Sequence, residues 1–319
     1  MAVYTHVSAE RIAQLLENYD VGTLVSAKGI AEGVENSNYL IETSESRFIL
    51  TLYEKRVDAA DLPFFFKLLD HLAGRGQPVP PAIADRAGRQ IQTVEGRPAC
   101  LIAFLPGVSP GEPNASQARA TGAALGDLHH ALADFADERP NRLSLPGWHE
   151  LADRCGDALN GIAPGLQDAV REELAFLDAH WPDGLPRSAI HADLFPDNVL
   201  MLDDAVTGII DFYFACTDIR AYDLAVTHAA WCFDDDGTGF DADRSRALIA
   251  GYTDHQPLGD DERAAMPALA RGAALRFLLT RAWDWLNTPP DALVTRKDPL
   301  AFLRRLEFYR AADDRLFAP

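Results

Sequence analysis

An α+β, bilobal architecture is what this sequence predicts: a small N-terminal lobe built on an antiparallel sheet with a helix, and a larger, mainly α-helical C-terminal lobe. Three observations lead there. The chain has 319 residues, more than one compact core usually holds, so two units are expected. Its hydrophobic pattern alternates through much of the N-terminal third and turns helical from Ser116 onward. Between the two, Leu105-Pro106-Gly107 is followed by Pro110, Gly111 and Pro113, a run that keeps the backbone irregular. The expected boundaries are 1–104, 105–115 and 116–319, the middle segment being a hinge and linker.

Taken in order, residues 8–17 read as a helix capped by Ser8, with Ile12, Leu15 and Leu16 on one face. Residues 23–29, 37–43 and 47–53 read as strands. The polar turn Ser44-Glu45-Ser46 joins the last two, so an antiparallel meander is expected. Helical spacing returns at 61–72, where Leu62, Phe65, Phe66, Leu69 and Leu72 make an apolar face that ends near Gly74 and Gly76. Two further strands are expected, from 82–84 with 90–94 and from 99–104, divided by turns at Gly88 and Gly96. Past residue 116 the helical pattern is interrupted by one short hairpin region, about 189–212.

The composition excludes several function classes. A formal charge of −19, with no Lys/Arg stripe to override it locally, would repel a phosphate backbone, so nucleic acid is not an expected partner. The most apolar stretches are short and broken by Pro, Asp or Arg, well below the ~20 residues a bilayer requires. The first twenty residues have no basic start before an apolar core, so a cytoplasmic protein without membrane partners is expected. Cys100, Cys155, Cys216 and Cys232 are scattered without zinc-ligand spacing and read as buried free thiols. Nothing in the sequence sets the oligomeric state, and a homodimer is compatible with it.

The chemistry is concentrated in Ile190-His191-Ala192-Asp193-Leu194-Phe195-Pro196-Asp197-Asn198, which contains H-x-D-L-x-x-x-N, the spacing of a kinase catalytic loop. Two apolar runs follow, separated by Asp203-Asp204, and the second ends in Ile209-Ile210-Asp211-Phe212. A hairpin there would bring Asn198 and Asp211 to one point although they are thirteen positions apart. An amide and a carboxylate suit Mg²⁺, which takes few protein ligands and fills its octahedron with water or phosphate oxygens. Asp193 is then left to orient and deprotonate an acceptor hydroxyl. His191 reads as a support that holds the loop and the Asp211 turn in register, with direct proton transfer as the alternative catalytic role. ATP and Mg²⁺ are the cofactors this pattern calls for.

On the nucleotide side, Gly29 to Asn38 lies between two expected strands, and the backbone of Gly33, Val34, Glu35, Asn36 and Ser37 could cover phosphates. An ordinary hairpin turn would read the same without the second motif. The stretch 99–105, with Ile102 and Phe104, is where an adenine would meet backbone donors and acceptors just before the hinge.

Together these motifs resemble the aminoglycoside phosphotransferase/choline kinase-like superfamily, through His191-Ala-Asp193-Leu-Phe-Pro-Asp197-Asn198, Ile210-Asp211-Phe212 and Asp223-Leu-Ala. More narrowly, Gly29-Ile-Ala-Glu-Gly-Val-Glu-Asn-Ser-Asn-Tyr39, Leu62-Pro-Phe-Phe and Ile210-Asp-Phe-Tyr-Phe-Ala215 look like the family of kinase-like homoserine kinases. The resemblance spans nearly the whole chain and implies a protein-kinase-like fold. It implies an N-terminal nucleotide-binding lobe and a C-terminal lobe for catalysis and substrate. It also implies transfer of the ATP γ-phosphate to the hydroxyl of L-homoserine, giving O-phosphohomoserine for threonine synthesis. Choline, methylthioribose or an aminoglycoside is the alternative acceptor within the same fold, and a silent nucleotide-binding module is the non-enzymatic alternative. One departure from kinases stands out: Thr51 occupies the position of the strand lysine, and the following helix offers no Glu partner. Lys55 and Arg56 are the nearby cations that could compensate.

A homoserine pocket must neutralise a carboxylate, for which an arginine fork is suited. Arg276 and Arg281 are the candidates, with a helix-surface salt bridge as the competing reading, and Tyr213 and Asp218 could contact the amino acid or stabilise the loop. Asp234-Asp235-Asp236-Gly237 lacks the regular ligand spacing of a calcium loop and reads as solvated. His129 and His130 close an expected helix at 121–130, where they could meet its terminal carbonyls. The five tryptophans read as core and rim residues.

Overall fold

In the computed structural model, residues 5–30, 36–54, 58, 60–288 and 296–317 are described. The chain divides into two compact units, Met1–Pro106 and Gly107–Pro319.

In the first unit, Ser8 accepts the Arg11 N–H and caps α1 (Ala9–Leu16), whose Ile12, Leu15 and Leu16 are buried. Alternating sequence then forms β1 (Leu24–Gly29), β2 (Asn36–Thr43) and β3 (Arg47–Tyr53) as an antiparallel meander. Helix α2 (Leu62–Gly74) starts with Pro63 in its first turn, where a missing N–H costs nothing, and buries Leu62, Phe65, Phe66, Leu68, Leu69 and Leu72. Strands β4 (Gln92–Val94) and β5 (Arg97–Ala103) complete a five-stranded antiparallel sheet of order β1-β2-β3-β5-β4. Residues 82–84, expected as strand, form only an isolated bridge, Ala82 opposite Ile102. The preceding Pro80 and Pro81 have no N–H to donate to a ladder, which limits pairing there.

The second unit begins with α3 (Ala115–Ala131), whose Asn114 and Gln117 form a reciprocal capping box. Then come α4 (Leu145–Cys155), the short α5 (Leu159–Ile162) and α6 (Leu166–His180). Where one hairpin was expected there are two separate ladders. Strand β6 (Arg187–Ile190) pairs with the distant β9 (Cys216–Ile219), and β7 (Val199–Leu202) with β8 (Ala205–Ile209) forms the hairpin proper. Four-residue strands carry too little alternation to be recognised, which is why β6 and β9 escape a sequence reading. Helices α7 (Arg220–Trp231), α8 (Ala242–His255), α9 (Asp260–Asn287) and α10 (Leu300–Ala311) complete the unit.

Every residue of α7 from Ala221 to Trp231 is buried, so this helix is the unit's central post. Helices α3 and α8 approach closely because glycines face each other's backbone. A Cβ on Gly122 would lie 2.1 Å from the Leu248 carbonyl oxygen, and one on Gly251 would lie 2.1 Å from that of Arg119. All four cysteines are free and buried. Among the described residues no helix is long and apolar enough to cross a membrane.

Glu173 of α6, fully buried, ties three helices together. Arg271 of α9 reaches its two oxygens at 2.7 and 2.8 Å, and Arg310 of α10 donates through Nε at 2.6 Å. Glu173→Ala strands these cations and is expected to destabilise the protein by about 3–5 kcal/mol. Urea unfolding measures this, and an unchanged midpoint would contradict the assigned role.

Candidate active site

Strand β6 delivers the chain to His191, and β9 anchors β6 through the register Ile190 opposite Cys216. Ala192 then adopts φ 63°, a left-handed conformation that L residues with a Cβ avoid and that persists only when its surroundings enforce it. Here both sides of the residue are held. The fully buried Asp223 of α7 accepts the His191 N–H at 2.8 Å on one oxygen and the Ala192 N–H at 2.7 Å on the other. Arg276 of α9 donates to the Ala192 carbonyl. Asp223 is oriented in turn by His129, whose Nε2 donates to it at 3.1 Å while Nδ1 meets the Tyr252 hydroxyl at 2.9 Å. Trp231 donates its indole N–H to the Leu194 carbonyl at 2.9 Å. The loop's bend is therefore held by α7 and α9 acting on residues 191, 192 and 194, with α3 and α8 orienting Asp223.

His191 is buried, and both ring nitrogens are committed. Nε2–H donates to the Ile210 carbonyl at 2.9 Å, and Nδ1 accepts the Asp193 N–H at 3.2 Å. Burial lowers its pKa despite the nearby Asp223 charge, which favours this neutral tautomer. With no ring atom left for a substrate, His191 links the catalytic loop to the Asp211 turn as a positioning residue.

Asn198 follows in a short 3₁₀ turn, Pro196–Asn198. Its amide nitrogen donates to the Asp193 carbonyl at 2.8 Å and lies 3.4 Å from the Asp193 carboxylate. Fixing the nitrogen inward leaves the amide oxygen as the atom a cation would use. The hairpin then closes: Val199 pairs with Ile209, and the Ile210 N–H donates to the Asn198 carbonyl at 3.0 Å. The next residue, the exposed Asp211, is a second non-glycine residue in the left-handed region, at φ 65°. Ala192 and Asp211 thus both carry this conformation beside Asp193 and Asn198, and Asp203 in the intervening hairpin turn is a third.

Asp193 sits where these elements meet, with 17% of its side chain exposed and Arg276 at 3.9 Å. Desolvation pushes its carboxyl up to about 8 against the opposing pull of Arg276, with the Asp211 and Asp197 charges adding to the rise. A cation held at Asp211 would offset part of that rise and favour the carboxylate form that a base requires.

The other sequence candidates are placed as follows. Arg276 is 2% exposed and turned onto the loop, so its guanidinium serves Ala192 and Asp193. Arg281, half-buried, donates to the Asp298 carbonyl at 3.2 Å and stacks 4.5 Å from the Phe302 ring centre. Asp218 is buried in β9, accepting from Asn141 at 2.7 Å and pairing with Arg187 at 3.1 Å. Tyr213 lies half-buried in the 3₁₀ turn after Asp211.

In the first unit Gly33, Val34 and Glu35 lie outside the described residues, as do Lys55 and Arg56. Asn36 opens β2 opposite Tyr53, and the buried Ser37 accepts the Thr5 N–H at 3.0 Å and donates to Glu54 at 2.7 Å. Ile102 is buried in β5 opposite Ile49, and Phe104 lies under the Arg47 guanidinium at 4.4 Å. Thr51 is buried and donates to Asn38 across the β2–β3 ladder at 2.8 Å, so a neutral pair fills the strand-lysine position.

Sequence reasoning placed Asp223 in a motif without giving it work, and read His129 as a helix-end residue. Asp223 is a buried partner of the loop backbone, and His129 bonds Asp223 and Tyr252 on two other helices instead of its own carbonyls. The signal available was the pairing of polar types with an otherwise apolar setting, since a buried carboxylate must find donors.

A bilobal fold with a loop of this pattern defines a kinase-like phosphotransferase. Amicoumacin kinase hAmiN shares the fold, with a TM-score of 0.71 and 14% identity over 97% of this chain and 95% of that one. The chain belongs to the phosphotransferase enzyme family, whose model matches residues 26–265. Within that class it belongs with the homoserine kinases. It is 58% identical to the homoserine kinase of Zymomonas mobilis subsp. mobilis, over 98% of each chain. It is 55% identical to that of Azorhizobium caulinodans, over 98% of this chain and 97% of the other.

Proposed function

We propose that this chain phosphorylates the hydroxyl of L-homoserine with ATP, giving O-phospho-L-homoserine. The observation that supports it most is the arrangement of Asp193 beside Asn198, with Asp211 at the mouth of the same hairpin, in a chain so similar to named homoserine kinases.

In this reading Asp193 accepts a hydrogen bond from the acceptor hydroxyl, aligns its oxygen for in-line attack and takes its proton. Arg276 holds the Asp193 carboxylate and the Ala192 carbonyl in place, and His191 keeps the Asp211 turn at the loop. The residues fit a magnesium ion: the amide oxygen of Asn198 is the free end of a pinned side chain, and Asp211 is an exposed carboxylate beside it. When bound, the ion neutralises charge on the phosphate oxygens. The backbone of residues 33–37 is proposed to cover the phosphates, and Ile102 and Phe104 to meet the adenine. Arg281 remains for the substrate carboxylate, because Arg276 is occupied.

ADP release measured with ATP and Mg²⁺ across homoserine, choline, methylthioribose and an aminoglycoside is expected to select homoserine. Chelating the metal is expected to abolish the signal, and Asp211→Asn to raise the Mg²⁺ concentration needed for half-maximal rate. Turnover of another alcohol without homoserine would replace the acceptor and keep the kinase assignment.

A further inference from the structure

Beside Asp193 the second unit places cations around three phenyl rings. Phe195 of the catalytic loop, Phe277 of α9 and Phe302 of α10 pack edge-on or tilted, with ring centres 4.8, 5.0 and 6.2 Å apart. Two guanidiniums stack on the same ring: Arg281 lies 4.5 Å and Arg305 4.3 Å from the centre of Phe302. Like charges repel more strongly in a dry setting than in water. Desolvation, and then the Arg305 charge, bring the Arg281 pKa down to about 10.

Such a pair calls for an anion, and the protein supplies none at contact. Arg281 and Arg305 make hydrogen bonds only to backbone carbonyls among the described residues, those of Asp298 and Asp234 respectively. Arg305 is 3% exposed, yet its Nε and Nη1 have no hydrogen-bond partner. Donors left unmet in a buried charged group are costly unless a ligand meets them. The carboxylates around the pair form no ion pair with it among the described residues: Asp298 is engaged with Arg304 at 3.6 Å and Asp197 with Lys297 at 3.5 Å, while Asp234, Asp235 and Asp236 act on Arg305 through their charge alone. Phe302, on which both guanidiniums stack, packs 6.2 Å from Phe195, two residues beyond Asp193, and the charges of Asp193 and Asp197 act on Arg281.

We propose that Arg281 and Arg305, stacked on Phe302, form the carboxylate subsite for the acceptor, Arg281 at its accessible side and Arg305 beneath. The subsite rests on the assignment of homoserine above. It distinguishes an amino acid from an amino alcohol of the same length, because only the former carries the anion that completes the pair. Rejecting the analogue needs no clash, since the unmet guanidinium donors disfavour it.

The test compares L-homoserine with 3-aminopropan-1-ol, the same molecule without its carboxylate. Steady-state kinetics are measured on the wild type and on Arg281→Met, Arg281→Lys and Arg305→Met. The ratio of kcat/KM for homoserine to that for the amino alcohol is expected to fall about 10–100-fold in both Met variants, mostly through KM for homoserine. Arg281→Lys is expected to recover part of it. Should Arg305→Met fail to fold, Arg305→Lys takes its place, with a smaller expected fall in the same ratio. An unchanged ratio, or equal losses on both substrates, overturns the subsite. Absence of homoserine turnover in the wild type would instead overturn the acceptor assignment on which it rests.

Discussion

Asp193→Asn is expected to lower kcat by about 10²–10⁴-fold while nucleotide affinity stays close to that of the wild type. The asparagine preserves shape and the contact with Asn198, so the change isolates the charge and the proton-accepting oxygen. Asp193 faces Arg276 at 3.9 Å and lies against the Asn198 amide, but the loop's backbone is held by Asp223, Arg276 and Trp231, so the bend should survive. Single-turnover phosphorylation of homoserine reads the chemical step, and calorimetric titration with ATP reads binding. Equal turnover in the variant would remove Asp193 from the reaction. A parallel loss of ATP affinity would make it a nucleotide-site residue instead.

Asp223→Ala carries the second largest expectation, because it acts on folding and catalysis together. The carboxylate accepts two consecutive backbone N–H groups and the His129 ring, all buried. Its removal leaves those donors unmet, at about 1–3 kcal/mol each, and releases Ala192 from a conformation worth about 1–3 kcal/mol of strain. A loss of roughly 2–6 kcal/mol in unfolding free energy is expected on that basis. Among molecules that remain folded, kcat should fall more than the KM for ATP rises, since the loop carries Asp193. Asp223→Asn is the informative companion: it keeps one acceptor oxygen and should recover part of the stability. Urea unfolding with kinetics on the folded fraction measures both, and a variant with the wild-type midpoint would show that other contacts hold the bend.

Much of the fold was legible because its cues are local. Ser8, the alternation of 37–43 and 47–53, and the apolar face from Leu62 to Leu72 each lie within one element, where neighbouring residues impose period and caps. The catalytic loop was legible for the same reason: His191, Asp193 and Asn198 fall within eight residues, and Asp211 is reached by one hairpin.

What the sequence by itself determined was therefore the set of chemical groups and the two-lobed order of elements. Only the tertiary structure decided which of them touch. Asp223 reaches Ala192 across 31 positions, Arg276 across 84, and His129 reaches Asp223 across 94. No periodicity records such a separation, because packing of whole helices brings these side chains together. The same packing divided two arginines that looked alike in sequence. One turn of α9 buries Arg276 against the loop, while Arg281, five residues on, is left beside Arg305 and Phe302, with a charge that a carboxylate can meet.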